Sequence, residues 1–128
     1  MVEPSLVGRL LDEAGQDGVH QLVVGAAVQD NGRLLLIQRP GDDVTGGRWE
    51  LPTGNVRPGE RLDDAIARQV RDKTSLEVSG LLDHLGSFDS GSGDGTKARQ
   101  FNFAVAVVTA GPVELREHVA YRWVPLAP

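Results

Sequence analysis

The sequence predicts a mixed α/β domain, one sheet with helices on its faces. Three observations lead there. Residues 20–39 hold two apolar runs separated by Asp30-Asn31-Gly32, a strand–turn–strand signal. Leu62, Ala65, Ile66 and Val70 recur at helical spacing. Residues 100–108, QFNFAVAVV, form an apolar run of strand character. Helices interleaved with strands in this way form a mixed layered sheet.

The chain has 128 residues, enough for one core and one domain. Its formal charge is −5, so no overall basic field draws it to nucleic acid or an anionic membrane. It has no cysteine. That excludes disulfides, thiolate metal sites and cysteine nucleophiles, and it fits a cytoplasmic protein. The N-terminal stretch is broken by Glu3, Arg9 and Asp12 and has no continuous apolar signal region. No stretch is long enough to span a bilayer.

Taken in order, Leu6, Val7, Leu10, Leu11 and Ala14 predict a first helix within residues 1–17, with Ser5 as its cap and Gly15 as its end. The hairpin follows. Residues 40–47 form a loop by composition. Trp49-Glu50-Leu51-Pro52 is a short extended lead-in to the segment GNVRPGERLDDAIARQVRDKTSL, residues 54–76. Asp63 and Asp64 lie in the first turn of its helix, where the dipole favours anions. Residues 76–88 lean towards strand, with Gly80 and Gly86 as bends or bulges. Residues 89–97, DSGSGDGTK, read as a mobile loop, and a lid is one use for it; the glycine spacing is not that of a P-loop. Residues 113–126 close the sheet.

Gly54, Gly59, Glu60 and Arg68, preceded by Trp-Glu-Leu-Pro, resemble the front of the Nudix box. Leu35-Leu36-Ile37-Gln38-Arg39 and Tyr121-Arg122-Trp123-Val124 are similar to the family's flanking strands. The resemblance covers about residues 18–126 and implies a Nudix fold, an α/β/α sandwich. Family members usually continue past the closing strand into another helix, whereas this sequence stops at Pro128. Two covers are expected for the face concerned: the first helix, or a second subunit in a homodimer.

The resemblance also implies hydrolysis of a nucleoside diphosphate derivative with Mg²⁺ or Mn²⁺, hard cations that take oxygen ligands. The back half of the box departs from the family pattern. Gln69, Asp72 and Lys73 stand where three glutamates belong, Ser75 replaces a glycine, and Thr53 replaces the glycine before Gly54. The three positions share one side of a helix, so the local charge changes from −3 to zero. An ammonium cannot ligate a metal. At 4 Å two unit charges repel by about 4 kcal/mol at an effective dielectric of 20, and a divalent ion doubles this.

By resemblance, Glu60, Asp72, Glu117 and the Thr53 carbonyl are the remaining candidates to hold one weakly bound ion, with Glu117 or Glu60 as the acid–base group. For Glu117 a solvated loop acid is the competing reading. Lys73 has two readings. In one it fills the vacated metal position, pairs with Asp72, Glu60 or Glu117, and meets a diphosphate together with Arg68. In the other it is a surface lysine at a helix end. Arg39 is a phosphate-contact candidate or a surface arginine. Phe101 and Phe103 suit the core, with stacking on a base as the alternative role. Two functions stay open: a divergent hydrolase with weak or altered metal use or with no cofactor at all, and an inactive Nudix-fold protein that binds a nucleotide-like ligand or a protein.

Overall fold

A computed structural model describes residues 2–41, 46–91 and 95–127. Its elements are α1 (Pro4–Gln16), β1 (Gln21–Asp30), β2 (Arg33–Gln38), β3 (Trp49–Glu50), β4 (Thr53–Asn55), α2 (Leu62–Thr74), β5 (Val78–Gly91), β6 (Lys97–Val107) and β7 (Ala120–Pro125). The strands form one seven-stranded sheet with central order β3-β2-β1-β6-β5; β4 pairs with β1 and β7 with β2. β1 and β6 run parallel, and the other described pairs are antiparallel. The mixed α/β architecture expected from the sequence is therefore present. Residues 42–45 and 92–94 of the two expected loops lie outside the described residues.

The hairpin turns at Asn31 and Gly32, with φ of 53° and 74°. Asp30 pairs directly with Arg33, so the loop has two residues. Asn-Gly suits it because both positions need positive φ. β5 shifts register at Val78/Gly80, Leu81/Asp83 and His84/Gly86, which places bulges at both expected glycines.

α1 is capped two residues earlier than expected, at Glu3 rather than Ser5. Glu3 is its N-cap without a side-chain cap bond, and Pro4 stands at its first turn. Proline is favoured there because its missing N–H would lack a helical partner anyway. The helix also runs through Gly15 to Gln16. Val7, Leu10 and Ala14 join the same buried cluster as Leu62, Ile66 and Val70 of α2 and Val24, Phe101, Phe103 and Val105 of the sheet. α1 thus packs beside α2 in that shared cluster. Alternation along β1 and β6 sends Gly25 and Ala27, Gln100 and Asn102, to the opposite face.

Candidate functional site

β4 and the turn after it carry the front of the box against the start of α2. Val24, Gly54 and Phe101 form one row across the sheet. This row faces α2, and Gly54 lies directly beneath Gln69. A Cβ on Gly54 would collide with the Gln69 carboxamide. Gln69 is only 8% exposed, and its Nε2 donates to the Asn55 carbonyl at 3.3 Å.

Arg68 and Glu60 form a two-pronged pair. Arg68 Nε donates to Glu60 Oε2 and Nη2 to Oε1, each at 2.9 Å. Nη2 also reaches the Asn55 carbonyl at 2.9 Å, and Glu60 Oε1 accepts from the Arg57 N–H at 3.0 Å. Both carboxylate oxygens are thereby engaged. The Arg68 hydrogen bonds hold the Glu60 carboxyl down at about 2, and the same bonds raise Arg68, assisted by the nearby charge of Asp72. This pair ties the loop to the helix.

The expected ion site is not assembled. Among the described residues no three His, Asp or Glu side chains come together in a way that would hold a metal. Glu60 is committed to Arg68 and Arg57, Asp72 is exposed, and Glu117 is exposed on the approach to β7. Thr53 is half-buried and turns its hydroxyl to the Leu51 carbonyl at 2.9 Å. Gln69 is a neutral donor to the Asn55 carbonyl, a bond that a carboxylate at this position could not make. The residues present therefore do not fit the divalent ion that the family implies.

Lys73 is half-buried and makes no ion pair or hydrogen bond with the described residues, so its expected pairing with Asp72, Glu60 or Glu117 is corrected. Ser75 is the left-handed C-cap of α2, with φ of 66°. Arg39 is half-exposed, with Nη1 3.4 Å from Glu50 Oε2. Phe101 is 1% exposed inside the core, which removes it as a stacking surface for a base.

Sequence reasoning missed two groupings. His118, buried just before β7, has Nε2 3.0 Å from Glu50 Oε2, so Glu50 joins His118 and Arg39. The two partners lie 68 residues apart, and although Glu50 belongs to the Trp-Glu-Leu-Pro lead-in, no spacing in the sequence ties it to His118. The second grouping is a cleft of about 300 Å³ lined by Arg48, Glu50, Leu51, Thr53, Gln100 and Asn102. Here a signal was available. In QFNF, strand alternation that buries Phe101 and Phe103 must send Gln100 and Asn102 to the other face.

Residues 19–127 match the family model described as NUDIX domain. A Mycobacterium tuberculosis H37Rv protein named as an 8-oxo-dGTP diphosphatase is 32% identical over 111 residues, covering 85% of this chain and 76% of its own. The CTP pyrophosphohydrolase of Escherichia coli K12 is 35% identical over 57 residues, covering 44% of this chain and 42% of its own. Among solved structures, the MutT protein of Methanosarcina mazei Go1 is 27% identical with a TM-score of 0.69, covering 86% of this chain and 80% of its own. Among the described residues no helix is long and apolar enough to cross a membrane.

Proposed function

The chain belongs to the NUDIX family, and from that premise we propose that it recognises a nucleoside di- or triphosphate derivative and hydrolyses it only weakly. The observation that carries this reading is the packing of Gln69 over Gly54 and onto the Asn55 carbonyl. A hydrogen bond there does the joining that a carboxylate could do only through a cation or a proton. Relatives named for nucleotide diphosphatase and pyrophosphohydrolase activity support the substrate class. The cleft beside Thr53 and Glu50 offers a place for the ligand.

A second reading, a binding protein with no turnover, is favoured by the same absence of a three-carboxylate group among the described residues. One experiment separates the two. The natural protein and the variant Gln69→Glu/Asp72→Glu/Lys73→Glu are assayed on a panel of nucleoside triphosphates and diphosphate-linked nucleosides, with Mg²⁺ and with Mn²⁺. Weak turnover by the natural protein, rising about 10- to 100-fold in the variant, is the expected result. Turnover by the variant alone selects the binding reading. Equal rates in both overturn the charge argument.

A further inference from the structure

The cleft holds a pair of carboxamides that no bond to the rest of the protein explains. Gln100 Nε2 donates to Asn102 Oδ1 at 2.9 Å. Neither side chain has another partner among the described residues, and neither has a buried, unsatisfied polar atom. Gln100 therefore keeps an accessible acceptor, and Asn102 keeps an accessible donor. Turning both amides over exchanges these roles and leaves the inventory the same.

The surroundings are shaped around this pair. Asn102 lies between Gly25 on β1 and Gly86 on β5. A Cβ on Gly25 would collide with Asn102 Oδ1 and approach Gln100 Nε2 to 2.9 Å, so the missing side chain is what lets the amides lie over the strand. Gly86 has φ of 115°, a conformation suited to glycine, and the space above it is open. Phe88 pairs across the strands with Gln100, hence on the same face, and is 54% exposed. The Arg48 guanidinium, also lining the cleft, pairs with no described residue. An open strip with an amide edge, an aromatic ring and an arginine has the chemistry of a site for a flat heterocycle.

We propose that Gln100 and Asn102 read the edge of a nucleobase that presents one hydrogen-bond donor beside one acceptor, with Phe88 as its stacking surface. This rests on the reading of the cleft as a nucleotide site and adds how the base is recognised. Because the amide pair can present its donor and acceptor in either order, it accepts the N4–H/N3 edge of cytosine and the N1–H/O6 edge of guanine alike. A carboxylate at position 102 would remove that tolerance. It would accept from Gln100 Nε2 and leave two acceptors, which match the N1–H and N2–H₂ donors of guanine.

Titration calorimetry on the full chain, with Mg²⁺ present, tests this using CTP, GTP and inorganic tripolyphosphate. The natural protein should bind CTP and GTP within about threefold of each other and tripolyphosphate at least about tenfold more weakly, the scale of a lost bidentate base contact. Asn102→Asp should shift the GTP-to-CTP preference towards GTP by about tenfold. Phe88→Ala, an exposed position, should weaken both nucleotides by about fivefold or more and leave tripolyphosphate unchanged. Gly25→Ala should do the same by displacing the amides. Tripolyphosphate binding as tightly as CTP overturns this inference but leaves phosphate recognition standing. An unchanged base preference in Asn102→Asp also overturns it. No binding of any of the three ligands overturns both the inference and the nucleotide reading.

Discussion

Gln69 occupies the space that Gly54 leaves empty, and its amide hydrogen-bonds the Asn55 carbonyl of the same strand end. The helix is thereby joined to the loop by a neutral contact. The consequence is testable with Gln69→Glu. The carboxylate cannot donate to that carbonyl, so stability should fall by about 1–3 kcal/mol at neutral pH. Mn²⁺ should raise the melting temperature of the variant and leave that of the natural protein in place. Absence of a metal effect in the variant would show that the remaining oxygens do not converge.

The Arg68–Glu60 pair predicts an acid-dependent loss of stability. Glu60 is held at about 2, below its ordinary value of 4.5, chiefly by the Arg68 hydrogen bonds. A depressed carboxyl stabilises the folded state fully above about pH 4.5, and that contribution disappears as pH falls towards 2. Glu60→Gln should cost about 2 kcal/mol at pH 7. The gap between variant and natural protein should narrow steadily in urea melts from pH 5 to pH 2. Asp89, lowered to about 2 by its bonds to Arg99, leaves some acid sensitivity in the variant. A gap independent of pH would show that the pair holds by packing alone.

Ser75 stands in a left-handed conformation at the end of α2, donating its N–H to the Arg71 carbonyl. A serine Cβ is disfavoured there, whereas glycine carries no such penalty. Its side chain makes only a 3.3 Å bond to the Glu114 carbonyl. Ser75→Gly should therefore raise stability by about 0.5–1 kcal/mol, after allowing for the greater freedom of glycine in the unfolded chain. Thermal unfolding at neutral pH measures it, and a lower melting temperature would mean that the Glu114 contact outweighs the strain.

Lys73 has no partner among the described residues. Lys73→Ala should change stability by less than about 0.5 kcal/mol. A loss above 1.5 kcal/mol in denaturant melts would show that the ammonium holds a partner in solution.

The motif-bearing segment was legible because its signals are local. Helical periodicity places α2 at Leu62–Thr74, and Asn31-Gly32 has the conformations a two-residue hairpin turn requires. The order Gly54, Gly59, Glu60, Arg68 resembles one family, and the match over residues 19–127 bears that out. Resemblance also marked the residues that depart from the pattern. It did not say where their side chains go.

Those placements depend on strands far apart in sequence. Nothing local joins His118 to Glu50, or puts Phe88 beside Gln100 and Asn102 over Gly25. Phe101 had two roles open to it until strand pairing committed its face to the core. The sequence by itself determined the family, the order of the elements and the loss of charge at positions 69, 72 and 73. Only the tertiary structure decided that Gln69 closes onto Gly54, that Glu60 is consumed by Arg68, and that an amide pair lines a cleft. The physical reason is that charge and periodicity are properties of the chain, whereas a hydrogen-bond partner is chosen by the register of the sheet and the packing of a helix upon it.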